Sequence, residues 1–219
     1  EPQLTIAVRT AGQITSRMLS MKPTVLYVPL SELAEHPDLP QRVSVETQLA
    51  AILPRVIWSC ELVPLVRQLH GAGIHVCLDS NGGVWNPAVE ELLGLVDLVL
   101  LDVKQADSER HRALTGRENA QTLRTAAWLE AHGKPFWLRY VLVPGISDAE
   151  ADIRALGERL GGYKSVERVE LLPYHTLGVH KYEAMGLEYK LRDVRENTPE
   201  QLDRAAALLR EYFPTVVVN

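Results

Sequence analysis

The segment Leu98-Val99-Leu100-Leu101-Asp102-Val103-Lys104 constrains this chain most. It is apolar on successive residues and then stops at an acid and a lysine. An unbroken Leu/Val run of this length reads as a strand covered on both faces, which means a parallel sheet between helices. Its polar residues fall at the C-terminal end, the end at which parallel α/β folds bind ligands. Two further runs share the pattern. Ile74 to Leu78 ends in Asp79-Ser80-Asn81-Gly82, and Val166 to Leu172 ends in Pro173-Tyr174-His175.

Composition narrows the function classes. The chain has 219 residues, 46% hydrophobic and 23% charged, enough for one globular core. A formal charge of −5 without a polybasic cluster argues against nucleic-acid binding. No apolar run approaches the ~20 residues of a membrane span, and no signal peptide is recognisable. Two cysteines, Cys60 and Cys77, make no disulfide framework, so a reducing, cytoplasmic setting is expected. The first residue is Glu1 rather than Met, so a natural start upstream is expected.

Residues 1–61 differ from the rest. Pro2, Pro23, Pro29, Pro37, Pro40 and Pro54 fall there against a single glycine, Gly12. Proline interrupts both ladders and helices. The expectation is an atypical segment of edge strands and turns, with one short helix from Ser44 to Leu53. It is either poorly ordered at its start or read from a shifted frame.

From residue 62 the pattern is regular. Helices are predicted from Leu62 to His70, from Pro87 after an Asn86 cap, from Ser108 to Leu114, from Ala120 to the His132-Gly133 stop, and after Thr198-Pro199-Glu200-Gln201. Ser147 and Glu150 have capping-box spacing before the helix face Ile153, Leu156, Leu160. Strands are predicted at 74–79, 97–103, 136–143, 166–172 and 215–218. Right-handed crossovers between about five strands give an α/β fold, a partial (β/α) barrel with a mostly parallel sheet over 62–219.

Asp102 and Lys104 are two apart, so on a strand they share a face. They read equally as a ligand-binding pair or a structural ion pair. Asp79, Ser80 and Asp102 supply oxygens suited to a small cation, while Asp-Ser-Asn-Gly is also an ordinary turn sequence. Arg139 inside an apolar strand demands a partner or a cavity. His175, His180 and Lys181 add polar groups to one long segment without periodicity. Cys77 reads as a small core residue. His70, His75, His111 and His132 lack metal-ligand spacing. Lys104 as a Schiff-base nucleophile is a third reading.

Several motifs in order resemble the glycyl-radical-enzyme activase family of radical S-adenosylmethionine enzymes, pyruvate formate-lyase branch. They are Gly73 to Gly82, Leu100 to Gln105, Leu138 to Gly145 and Glu170 to Lys181, continued by Tyr182, Met185-Gly186 and Glu188 to Leu191. The resemblance implies a partial barrel that uses S-adenosylmethionine and a [4Fe–4S] cluster to place a radical on a partner's glycine. It implies S-adenosylmethionine contacts at Asp102, Val103, Lys104 and His175, and a monovalent cation at Asp79, Ser80 and Asp102. Arg139, His180 and Lys181 would face the partner, a glycyl radical enzyme of the pyruvate formate-lyase type. A flavodoxin- or ferredoxin-type reductant would serve the cluster. The family's cluster loop is C-x-x-x-C-x-x-C, and residues 1–59 contain no cysteine. The expectation is therefore family membership with the cluster ligands missing from this chain, and, as the alternative, a non-catalytic module that keeps part of the S-adenosylmethionine site.

Overall fold

A computed structural model of the chain describes residues 62–71, 73–176, 179 and 188–219, together with the backbone of strand β1, Val25–Tyr27. The expected atypical segment, including its Ser44 to Leu53 helix and Cys60, otherwise lies outside the described residues. The chain divides into two compact units, 1–101 with 121–136, and 102–120 with 137–219.

The first unit holds β1, helix α1 (Leu62–Gly71), β2 (Cys77–Ser80), α2 (Pro87–Leu95), all but the last residue of β3 (Leu98–Asp102), and, from its second residue, α4 (Ala120–Ala131). Strand β1 runs antiparallel to β2, Tyr27 opposite Cys77, which is the edge strand expected of the Pro-interrupted region. Strands β2 and β3 run parallel, Cys77 opposite Leu98 and Ser80 opposite Leu101. Leu98 to Leu101 are all buried, as a run apolar on both faces requires. Helix α2 starts where Asn86-Pro87 predicts, with Asn86 Oδ1 accepting from the Val89 amide at 2.9 Å. Helix α1 buries Leu62, Val63, Val66 and Leu69 and packs on α2. Cys77 is in the core, as expected.

Strand β2 starts three residues later than the apolar run predicts. The amides that would begin the ladder are used elsewhere. Ile74 N–H donates to Leu69 O at 2.9 Å, closing α1, and Val76 N–H donates to Asp97 Oδ2 at 2.7 Å. His70 Nε2 donates to the same oxygen at 2.9 Å. Burial pushes the Asp97 carboxyl up, but the Val76 amide and His70 outweigh it and hold it below its ordinary 3.8.

A carboxyl depressed in the folded state adds stability that is complete above its unfolded value and is lost as pH falls through the folded one. Wild-type stability will therefore decline below about pH 4, and Asp97→Asn will lack that portion of the acid arm. Asp97→Ala will be worse at neutral pH. It strands the Val76 amide, in a residue with no exposed surface, at a cost of about 1–3 kcal/mol, whereas Asn keeps an acceptor there. Urea titrations of the three proteins from pH 3 to pH 8 check both statements.

The second unit holds Asp102, α3 (Ser108–Thr115), β4 (Phe136–Leu142, from its second residue), α5 (Glu150–Leu160), β5 (Val166–Pro173), α6 (Pro199–Arg210) and β6 (Val216–Val218). Strand β4 alternates strictly, with Phe136, Leu138, Tyr140 and Leu142 buried and Trp137, Arg139 and Val141 on the other face. Strand β4 neighbours β5, and β5 runs parallel to β6, Val169 opposite Val216. Helix α6 begins at the capping box read from sequence. Thr198 Oγ1 accepts from Gln201 N at 3.3 Å and Gln201 Oε1 accepts from Thr198 N at 2.8 Å.

The Ser147/Glu150 capping box does not form. Ala149 is the N-cap of α5 and makes no side-chain cap bond. Ser147 Oγ is committed to the end of β4, accepting from Val143 N at 2.8 Å and donating to Val141 O at 2.8 Å. The Tyr140 hydroxyl donates to Ser147 O at 2.7 Å, and burial pushes that phenol's pKa well up. The turn after β4 consumes the hydroxyl that the cap would need.

Candidate functional site

The geometry that matters begins where β3 ends, in the second unit. Asp102 and Lys104 do pair, Lys104 Nζ to Asp102 Oδ2 at 2.7 Å. Between them Val103 is buried and its amide donates to Arg139 O at 3.0 Å. That bond ties the β3 end to β4 and sets Arg139 beside Asp102. Arg139 Nη1 stands 4.0 Å from Asp102 Oδ1. Its Nε stands 3.4 Å from Glu170 Oε2 on β5. Glu170 Oε1 accepts from Arg168 Nη2 at 2.9 Å, and the Arg168 guanidinium lies over the Trp137 ring, 3.2 Å from its centroid.

The result is a chain of alternating charge, Lys104, Asp102, Arg139, Glu170, Arg168. It has three cations and two anions, and all five side chains are at least 70% buried. Asp102 Oδ1 is buried and accepts no hydrogen bond among the described residues. A buried carboxylate oxygen left without a donor carries a desolvation cost that a ligand donor would relieve.

The segment leaving Lys104 is fixed by residues that the sequence did not single out. Asn119 is buried and its Nδ2 donates to Gln105 O at 3.0 Å and to Ala106 O at 2.7 Å. Gln105, also buried, accepts from Ala106 N at 2.8 Å through Oε1. His111 Nδ1 donates to Arg117 O at 2.7 Å. Burial lowers the His111 pKa, the Arg117 carbonyl opposes this, and the nearby Lys104 cation adds to the lowering. His111 is thus a packing residue, as its spacing suggested.

His175 is exposed two residues past β5, with no hydrogen bond or ion pair to the charge chain among the described residues. Its neighbour Tyr174 is the anchored one. The Tyr174 amide donates to Asn197 Oδ1 at 2.8 Å, and its hydroxyl meets the Tyr189 hydroxyl at 2.7 Å and Leu191 O at 3.1 Å. His180 and Lys181 lie outside the described residues.

Asp79 and Ser80 belong to the first unit. Asp79 is buried and engaged with its surroundings. Ser80 Oγ accepts from Gly82 N at 3.1 Å and Asn81 Oδ1 from Gly83 N at 2.9 Å, the turn bonds such a sequence favours. Helix α4 holds this turn, with Thr122 Oγ1 donating to Asn81 O at 2.7 Å and Thr125 Oγ1 to Gly82 O at 2.9 Å. Gly82 has φ +60°, and a Cβ there would sit 3.0 Å from both Leu101 Cδ1 and Thr125 Cβ.

Of the predicted residues, the structure joins Asp102, Val103, Lys104 and Arg139. Glu170, Arg168 and Trp137 complete the set and were missed as site residues. The signal was present: 168 and 170 are two apart in an apolar strand, the same parity that marked Asp102 and Lys104.

The two groups that the resemblance implies have different chemical needs. S-adenosylmethionine carries hydroxyl and ammonium donors and a carboxylate, which suit Asp102 Oδ1 and the flanking cations. A [4Fe–4S] cluster needs thiolates. This chain has two cysteines in all, and Cys77 is buried within β2. Among the described residues no three His, Cys, Asp or Glu side chains gather as a metal site. None of the described helices is long and apolar enough to cross a membrane.

Residues 35–156 match the family model described as the radical SAM superfamily. The chain is 46% identical over 142 residues to pyruvate formate-lyase 1-activating enzyme of Escherichia coli K12, covering 64% of this chain and 58% of that protein. It is 39% identical over 150 residues to pyruvate formate-lyase-activating enzyme of Staphylococcus epidermidis, covering 66% and 60%. The chain thus spans well under two thirds of the curated relatives it matches. Among solved structures, a domain of pyruvate-formate lyase-activating enzyme from Bacteroides vulgatus superposes with TM-score 0.62 at 20% identity, covering 74% of this chain and 91% of that one. Streptococcus suis SuiB bound to S-adenosylmethionine superposes with TM-score 0.54 at 15% identity, covering 73% and 35%. The fold is the α/β, partial-barrel type that the strand pattern predicts.

Proposed function

Because this chain belongs to the radical SAM superfamily, we propose that it is the S-adenosylmethionine-binding part of a glycyl-radical-enzyme activase of the pyruvate formate-lyase type. The observation that carries the reading is Asp102 Oδ1, a buried acceptor without a donor among the described residues, at the end of β3 and flanked by Lys104 and Arg139. Identity of 46% to an activating enzyme supports the class of reaction and of partner.

In this reading Asp102 accepts from a donor group of the cofactor. Lys104 and Arg139 balance its charge and attract the cofactor's carboxylate. Val103, bonded to Arg139 O, fixes the backbone between them. His175, exposed past β5, closes on the cofactor from the β5 side. S-adenosylmethionine, when bound, supplies the 5′-deoxyadenosyl group with which activases remove hydrogen from a glycine. The protein's contribution is orientation of that group before reaction. The partner is a glycyl radical enzyme that offers its glycine segment to this face. The [4Fe–4S] cluster that the superfamily implies takes thiolate ligands. The Schiff-base reading has no support from the site, since Lys104 Nζ is committed to Asp102 at 2.7 Å.

Equilibrium dialysis with labelled S-adenosylmethionine tests the proposal. Saturable binding at one per chain, weakened by His175→Ala, is expected. Binding that does not saturate, or that adenosine matches in strength, would remove the basis for it.

A further inference from the structure

We propose that Asn197 is a positioning residue for His175: it fastens the backbone where β5 ends, so that an exposed imidazole leaves the sheet in one fixed direction. The ligand that His175 meets rests on the reading above; the hold on its backbone does not. Strand β5 stops at Pro173, which has no amide hydrogen to give. Tyr174 is the next residue, and it is buried. Its N–H lies past the ladder and needs an acceptor from elsewhere. Asn197 Oδ1 supplies one at 2.8 Å, from 23 residues downstream. The carboxamide can face only this way round, because a flip would set Nδ2 against that N–H. Nδ2 is buried and meets no acceptor among the described residues, so the oxygen is the end in use. Asn197 is itself steadied by its neighbour Thr198, whose capping box opens α6.

The other end of Tyr174 is held as well. Its hydroxyl has one hydrogen, which goes to Leu191 O at 3.1 Å, so the Tyr189 hydroxyl at 2.7 Å is the donor to it. Burial pushes the Tyr189 phenol's pKa up, and the bond to Tyr174 adds to that, as a donor's bond does. Leu191 O also accepts from Val194 N at 3.1 Å, which closes a turn in the returning segment. Thr176 O accepts from Val179 N at 3.0 Å and closes another on the far side of His175. His175 therefore stands between two held residues although it is itself exposed. Backbone order set before binding lowers the entropy lost when the ligand arrives. Asn197 acts through Tyr174, with no ligand contact of its own required.

Backbone ¹⁵N relaxation of the unliganded chain gives the first readout. The wild-type order parameter at His175 will be that of rigid backbone, about 0.85, and in Asn197→Ala it will fall below about 0.6. The order parameter of Ala205, within α6, will stay unchanged. Asn197→Asp keeps an acceptor for the Tyr174 amide and will keep the wild-type value at His175. Affinity for S-adenosylmethionine will fall by about tenfold in Asn197→Ala. The same change made on a His175→Ala background will produce no further loss, because the group being positioned is gone. A purely structural role predicts equal factors in both backgrounds. An unmoved His175 order parameter, an Asn197→Asp that behaves as the alanine variant, or equal loss in both backgrounds overturns the proposal. Should Asn197→Ala fail to fold, Asn197→Ser, whose shorter reach takes the oxygen off the Tyr174 amide, must lower the same order parameter. A wild-type chain that does not bind S-adenosylmethionine would overturn the ligand assignment alone, since the order parameter decides the hold on His175 by itself.

Discussion

Asp102→Ala will reduce affinity for S-adenosylmethionine by about a hundredfold while costing only about 1 kcal/mol of stability. The two magnitudes separate because the partners of Asp102 differ. Lys104 has a flexible stem and a quarter of its side chain exposed, so its ammonium can reach water once the carboxylate is gone. Arg139 retains Glu170. Neither cation is left stranded, and the large penalty for breaking a buried pair does not apply. A ligand donor has no substitute for Oδ1, and a charge-assisted bond of about 2–3 kcal/mol corresponds to the hundredfold loss. Calorimetric titration gives the affinity and guanidinium unfolding the stability. A large fall in stability with affinity retained would reassign Asp102 as a purely structural residue.

Gly157→Ala will destabilise the second unit by about 1–2 kcal/mol although alanine is the better helix former. Propensity alone predicts a gain of about 1 kcal/mol in mid-helix. Packing decides the sign. Gly157 and Gly161 lie four apart on α5 and form a notch for Tyr212, just past α6. A Cβ at 157 would overlap the Tyr212 ring at Cγ and Cδ2, the root of the side chain rather than its far end. A Cβ at 161 would come within 2.6 Å of Gly157 O. Tyr212 has little room to yield, because its own amide is held by Leu209 O at 3.0 Å and its Cβ and carbonyl lie against Gly161. Truncating the ring should expose the propensity term. In a Tyr212→Ala background, Gly157→Ala will be neutral or stabilising. Thermal unfolding of the four proteins closes the cycle.

Much of the local structure was legible because its causes are local. Asn86-Pro87 and Thr198 to Gln201 carry their capping chemistry within four residues, and both helices begin where those residues say. The unbroken apolar run before Asp102 announced a strand covered on both faces; the strand stops at Asp102, and Lys104 pairs with it from the bend that follows. The departures arise where a side chain distant in sequence, or a competing turn, takes a group the pattern had assigned. Asp97 captures the Val76 amide, so β2 begins late. Ser147 has the spacing of a capping box, but the exit from β4 uses its hydroxyl twice. Arg139 declared that it needed a partner, yet nothing in its neighbourhood of sequence named Glu170, which comes from the next strand. The anchor of the segment after Lys104 was equally hidden. Asn119 looks like a loop residue and is almost wholly buried, with both amide hydrogens on backbone carbonyls.

The family resemblance carried the class of chemistry, and the residues at the β3 end bear on binding of the cofactor.

At the centre stands binding of S-adenosylmethionine at the β3 end through the chain's own charged residues. Calorimetric titration of the wild-type chain and of Asp102→Ala with S-adenosylmethionine tests it most directly. One cofactor bound per wild-type chain is expected, with affinity about a hundredfold lower in Asp102→Ala. No cofactor bound by the wild-type chain, or equal affinity in the two proteins, would contradict it.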